Sequence, residues 1–151
     1  MEGIKEFVKE IIQILPIIAK KFLRLSEDVL SKGKITLPQL LILDFLLRQK
    51  DVKMKDIAKF LEVTTANATG LVDRLVRDKY INRVYDKNDR RVIKLELTKK
   101  GKDLIDNINK KREKIFIKIF SQLSQKDRDD YLRIVKKIKE ILETINLNEK
   151  I

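Results

Sequence analysis

Between Thr64 and Gly101 two sets of side chains stand close together that can read and hold a polyanion. The first is Thr65, Ala66, Asn67, Thr69, Gly70 and Arg74, which is small and uncharged at its start with a cation further on. Asn and Thr can hydrogen-bond base edges, a Thr or Ala methyl can touch thymine, and small side chains allow close approach. The second is the run Asp86-Lys87-Asn88-Asp89-Arg90-Arg91, too charged to pack on anything apolar. Arg is suited to a narrow minor groove, where the negative potential is deepest. Asp89, two residues before Arg91, can hold that guanidinium by a charge-assisted hydrogen bond. Each set also has a plainer reading: a solvated helix face for the first, an ordinary turn rich in Asp and Asn for the second. The first set alone favours neither reading. The basic loop immediately after it favours duplex DNA.

These residues need a helix, a tight corner before it and a hairpin behind it. The pattern predicts a helix over roughly 54–61, burying Ile57, Ala58 and Leu61, and a further helix from 65 to about 78 capped by Thr64. Glu62-Val63-Thr64 between them has the length of a helix-turn-helix corner. Ala68, Leu71, Val72 and Leu75 share one stripe of the second helix and should be core. Two short strands follow, about 82–86 and 91–97. The second alternates, with Ile93, Leu95 and Leu97 on one face and Lys94 and Glu96 on the other.

Around this centre the chain reads as helix. Thr36-Leu37-Pro38-Gln39 is a capping signature opening a helix over about 37–49. Thr98 caps a long helix to about 121, and Ser124 opens another with Tyr131, Leu132, Val135, Ile138, Ile141, Leu142 and Ile145 on its apolar face. Residues 4–30 carry apolar side chains at 3/4 spacing, ending at Gly33, with Pro16 predicting a kink or break near residues 12–16. The tail from Asn146 should fray. The fold class is therefore mainly α with a small β-hairpin, in one domain with helical arms.

Composition narrows the function. The chain has 151 residues, 35 Lys plus Arg against 23 Asp plus Glu, and a net charge of +12. Such an excess attracts nucleic acid or acidic membranes, though ion-pair-rich surfaces also carry it. Location decides between these. Residues 64–102 hold 11 Lys/Arg and 5 Asp/Glu, so half of the excess sits in about a quarter of the chain. With no Cys and no His, disulfides, thiol redox sensing and the usual transition-metal sites are excluded. Nucleophile systems built on Cys or His, and Gly-rich phosphate loops, are absent too, so an enzyme has little support and no cofactor is expected. No signal peptide or membrane-length apolar run is present, which predicts a cytoplasmic protein with no membrane partner.

The order of these features resembles the winged helix-turn-helix of the MarR family of transcription regulators. The resemblance rests on Asp89-Arg90-Arg91 close before Leu97-Thr98-Lys99-Lys100-Gly101, on Leu71-Val72-Asp73-Arg74-Leu75, and on the Thr36 to Gln39 helix start. It implies that Arg91 enters the minor groove with Asp89 as its brace. Arg90 and Lys87 then serve nearby phosphates, and Arg74 either contacts DNA or braces the wing. It also implies a DNA-binding part over about 36–100, with dimerisation helices over about 1–33 and 101–146. Three positions depart from the family pattern: Glu62 and Lys79, where many members have Gly, and Gly70, where a large or basic residue is frequent. Lys79 either takes a positive φ or ends its helix without a left-handed cap, and a non-Gly residue in such a cap costs roughly 1 kcal/mol.

The apolar stripes at both ends exceed what a small winged helix needs, so they predict a homodimer; a monomeric bundle packing them internally is the alternative. The resemblance further implies a repressor on a pseudo-palindromic operator in double-stranded DNA, switched by a small aromatic anion effector. Two other readings remain distinct from it: a non-specific or architectural DNA-binding protein, and a winged helix that binds a protein partner instead.

Overall fold

The computed structural model describes residues 2–27 and 35–145. In order these form α1 (Glu2–Glu27), α2 (Leu37–Arg48), α3 (Met54–Leu61), α4 (Thr65–Arg77), β1 (Ile81–Tyr85), β2 (Ile93–Leu97), α5 (Lys99–Phe120) and α6 (Gln125–Thr144). The fold class is the expected one, helices with a single small hairpin. The expected stop at Gly33 and the tail from Asn146 lie outside the described residues.

Local chemistry sets the helix starts. Thr36 forms a full capping box: its hydroxyl accepts the Gln39 N–H at 3.4 Å, and Gln39 Oε1 accepts the Thr36 N–H at 3.0 Å. Thr64, Thr98 and Ser124 cap α4, α5 and α6 by the hydroxyl half of this device, accepting from the amides of Asn67, Gly101 and Asp127. Each such cap contributes about 1 kcal/mol by satisfying a donor that the helix cannot.

The core gathers where α2, α3, α4, the hairpin and the first turns of α5 each turn an apolar side inward. Ile42, Leu43, Ile57, Val72, Leu75, Ile81, Ile105 and Ile108 are fully buried there. Ala58 and Ala68 are buried as well, and Leu61 and Leu71 are half-buried. The strands pair antiparallel with Ile81 opposite Leu97 and Tyr85 opposite Ile93. Val52, just before α3, accepts the Leu95 N–H at 2.8 Å, which pins the hairpin to the helix pair.

Two expectations need correction. Of the kink or break expected at Pro16, the break does not occur: α1 is continuous through it. Proline removes one donor and strains one turn, roughly 3 kcal/mol. The turns on either side keep their own ladders, in a sequence rich in Ile, Leu, Lys and Glu. The alternation in β2 is also only partly expressed, with Leu95 buried, Leu97 half-buried and Ile93 exposed. Only the inner half of the hairpin rests on the core, so Val84, Tyr85 and Ile93 at its outer end stay in solvent.

By packing, the described chain divides into two compact units, up to Arg112 and from Glu113 onward. In the second, Phe120 lies against Phe116 and Tyr131, with ring centroids 5.9 and 5.3 Å apart. The Arg128 guanidinium donates to the carbonyls of Phe120 and Leu123, closing the corner before α6. No described helix is long and apolar enough to cross a membrane.

Candidate nucleic-acid interface

The corner between α3 and α4 turns on Glu62, which is left-handed at φ 54°. Its N–H reaches the Lys59 carbonyl at 3.2 Å, and the Val63 N–H reaches Ala58 at 3.0 Å. That pair of bonds is the Schellman closure, which satisfies the orphan carbonyls of α3 and reverses the chain. Thr64 then starts α4 at once. Ala68, Val72 and Leu75 are buried, so Thr65, Ala66, Asn67, Gly70 and Arg74 face solvent. Thr69 is half-buried, and its hydroxyl donates to the Thr65 carbonyl at 2.8 Å. That bond uses the hydroxyl's only donor and leaves its oxygen free to accept. A methyl added at Gly70 would meet nothing within 4 Å, so the helix is smooth and open at its middle.

The far end of α4 closes by the same device. Lys79 is left-handed at φ 62°, its N–H bonds Val76 at 2.9 Å, and the Tyr80 N–H bonds Leu75 at 2.8 Å. Of the two outcomes open from the sequence, the positive φ is the one adopted. The start of α5 seats on this turn: Thr98 donates through its hydroxyl to the Lys79 carbonyl at 2.7 Å and through its N–H to Tyr80 at 3.0 Å. The Lys100 ammonium donates to the Asp78 carbonyl at 2.8 Å and lies 4.5 Å from the centre of the Tyr80 ring. A Cβ on Gly101 would fall 2.1 Å from the Tyr80 carbonyl oxygen. Only glycine permits this approach, which gives a physical reason for the glycine that closes Leu97–Gly101.

The wing loop is built on two carboxylates. Asp86 accepts the amides of Asn88 at 2.8 Å and Asp89 at 3.2 Å, and its own N–H bonds the Val92 carbonyl at 2.9 Å. Asp89 accepts the Arg91 main-chain N–H at 2.9 Å. The guanidinium contact expected from the Asp-x-Arg spacing is not the one formed. A backbone donor two residues on is already fixed within reach of the carboxylate, whereas the long Arg side chain must be ordered to meet it. Asp89 therefore shapes the turn and leaves the Arg91 head exposed. Lys87 and Arg90 are exposed beside it. Among the described residues, no carboxylate lies within ion-pair range of Lys87, Arg90, Arg91 or Arg74. The paired arginines here are instead Arg83 of β1, bound to Asp73 of α4, and Arg77 at the end of α4, 3.4 Å from Asp78.

Sequence reasoning missed the Asp73–Arg83 pair and a second one, in which Lys94 bridges Asp86 at 2.8 Å and Asp51 at 2.7 Å. The Lys94 ammonium, followed by the Asn88 and Asp89 amides, holds the Asp86 carboxyl down to about 2. The two carboxylates in turn hold Lys94 well above the ordinary lysine value. Asp73–Arg83 and Asp51–Lys94 join residues 10 and 43 positions apart, beyond the reach of a local pattern, whereas Asp86–Lys94 closes within the hairpin. A signal did exist: Lys94 is the inner polar residue of an alternating strand, facing the acidic loop.

A helix-turn-helix with a smooth polar second helix, followed by a cation-bearing hairpin over the same core, is a winged helix-turn-helix. The MarR family's sequence model matches residues 35–93, which span α2 to the start of β2. BilQ of Clostridioides difficile, an HTH-type transcriptional regulator, is 30% identical over 127 residues, covering 82% of this chain and 86% of BilQ. MdtR of Bacillus subtilis, an HTH-type transcriptional repressor, is 29% identical over 117 residues, covering 78% of this chain and 76% of MdtR. Among solved structures, a mutant of S. aureus MepR bound to an oligodeoxyribonucleotide is 25% identical with a TM-score of 0.64, covering 86% of this chain and 96% of that one. The chain belongs to the MarR family of DNA-binding transcriptional regulators.

Proposed function

We propose that this protein is a sequence-specific repressor that binds a pseudo-palindromic operator in double-stranded DNA as a homodimer. On this reading residues 1–151 act as one MarR-like domain in the cytoplasm, with about 36–100 reading DNA and the flanking helices, about 1–33 and 101–146, joining two copies. The observation that carries it is the free charge on the wing and recognition helix. Arg74, Lys87, Arg90 and Arg91 have no acidic partner among the described residues, while Arg83 is tied to Asp73 and Arg77 to Asp78. The side-chain amide of Asn67 is likewise exposed and uncommitted among the described contacts. The repressor named MdtR and the DNA-bound MepR mutant support the same reading.

The dimer is supported by what the single chain leaves in water. Ile4, Phe7, Ile12, Leu15 and Ile18 of α1 are exposed, as are Ile138, Ile141 and Leu142 of α6. Stripes of this size call for a second copy, which would place two α4 helices about one turn of DNA apart, roughly 34 Å.

A small aromatic anion as effector is supported by a cavity of about 450 Å³ on the flank of α2 and α3. Phe45 and Phe60 stack there with centroids 4.5 Å apart, beside Val52, Lys50, Lys59 and Asp56, whose carboxylate is occupied by the Lys53 N–H at 2.8 Å. A flat ring can lie on the exposed Phe60 while a lysine meets its carboxylate.

Salt-dependent binding tests the DNA assignment. Arg91→Ala removes about two cations per dimer, so the slope of log K against log salt should become shallower by up to roughly 1.8. Asn67→Ala should leave the slope nearly unchanged and lower operator preference over random DNA by about 1–3 kcal/mol per half-site. Equal effects of both substitutions on slope and on preference would favour the non-specific alternative. A stable monomer by sedimentation at micromolar concentration would overturn the dimer.

A further inference from the structure

We propose that Lys94 is the positioning residue of the wing: with Asp51 and Asp86 it forms an acid–lysine–acid clamp that sets the shape of the loop presenting Lys87, Arg90 and Arg91. The clamp begins at the corner after α2, where Asp51 is left-handed at φ 57°, a conformation Asp tolerates better than most residues. Its carboxylate meets Lys94 at 2.7 Å, and the same ammonium meets Asp86 at 2.8 Å. From Asp86 the connection continues through the Asn88 and Asp89 amides, and Asp89 then takes the Arg91 amide at 2.9 Å. An unbroken set of polar contacts thus runs from the corner between α2 and α3 to the tip of the wing. The inner pair of the clamp is partly shielded, with Lys94 and Asp86 exposed by only 23% and 22%, whereas Asp51 at its outer side is 72% exposed. Removal of water from around such a pair strengthens it.

The consequence is a division among the wing's charges. Lys94 is neutralised by two carboxylates and is not available to phosphate, whereas the tip cations stay unpaired. Asp86 holds two amides with an oxygen set that Lys94 keeps charged and oriented. Without the ammonium, two carboxylates would face each other across the wing base, and repulsion would pull Asp86 off its amides. The tip would then lose its fixed turn, and its arginines would have to be ordered at the moment of binding. The DNA part of this inference rests on the function proposed above; the loop geometry does not.

The experiment compares Lys94→Met and Lys94→Arg with the unmodified full-length protein. Backbone ¹⁵N order parameters are measured without DNA, and duplex affinity is measured across a salt series. In Lys94→Met the order parameters of Asn88 to Arg91 should fall from the rigid range near ~0.85 to below about 0.6, with those of α2–α4 unchanged. Affinity should drop about 5- to 20-fold with the salt slope nearly constant, because no phosphate contact is lost. Lys94→Arg should restore both. Unchanged wing order parameters would overturn the clamp. So would a slope loss in Lys94→Met equal to that of Arg91→Ala, since Lys94 would then be a phosphate contact. If the unmodified protein bound no duplex, the proposed function would fall while the order parameters still decided the clamp.

Discussion

The centre of this chain and its ends carry similar amounts of apolar residue and use them in opposite ways. In the segment from Ile35 to Leu97, helices and hairpin bury one another, and Leu75 and Ile57 are wholly enclosed. In α6 no residue is buried, and Leu142 is 56% exposed. Ile12 in α1 is 66% exposed. Both kinds of helix show the same 3/4 spacing in sequence. The contrast teaches that an amphipathic stripe states a demand for cover without saying which surface meets it. The centre meets its own demand within one chain, and the proposed second copy meets that of the ends.

The contrast is sharpest in paired core and end substitutions. Leu75→Ala should cost about 2–5 kcal/mol, the range for emptying a buried leucine site, seen as a lower denaturant midpoint with dimer mass retained. Ile138→Asp should instead leave the winged-helix secondary structure intact and shift sedimentation toward monomer. If Ile138→Asp unfolded the centre as Leu75→Ala does, the two regions would not be energetically distinct.

The junction between them offers a second break. Gly101→Ala places a methyl on the Tyr80 carbonyl, so the turn after α4 or the start of α5 must shift. Thermal denaturation should show a loss of about 1–3 kcal/mol, the usual range for overpacking. Gly70→Ala makes the opposite case, because its Cβ enters open space. It should stabilise the protein by about 0.5–1 kcal/mol through helix propensity alone.

Left-handed caps give an effect of similar size. Lys79→Gly and Glu62→Gly should each stabilise by about 1 kcal/mol, since both residues hold positive φ with a Cβ. Unchanged or lower stability in chemical denaturation would mean that contacts of the lysine or glutamate side chain offset the backbone strain.

The smallest effect lies in acid. Asp86 is depressed to about 2 in the folded protein, against an ordinary value near ~3.9. Its folded form therefore prefers the ionised state. The stabilisation is present above the unfolded value and is lost as pH falls through about 2. Asp86→Asn should thus differ most from the unmodified protein near pH 5, and the gap should narrow between pH 4 and 2 in parallel denaturation curves.

Much of this architecture was legible in the residues themselves. Thr36, Thr64, Thr98 and Ser124 mark helix starts because a hydroxyl three residues before an orphan amide satisfies it in any context. Ala68, Val72 and Leu75 mark the inner side of α4, which places Asn67 and Arg74 outside, and the charge of residues 87–91 puts them in solvent. What tertiary structure decided is everything that depends on a meeting of distant segments. Asp73 finds Arg83, and Lys94 of the hairpin finds Asp51, only once the hairpin has folded over α2–α4. Gly101 is required only because α5 starts against the Tyr80 carbonyl. Ile93 alternates as a core residue should, yet stays in water because the hairpin outreaches the core beneath it. Caps and stripes act over three or four residues, within reach of a sequence pattern. An ion pair across 43 positions costs the chain its loop entropy and exists only when the whole fold has already met that cost.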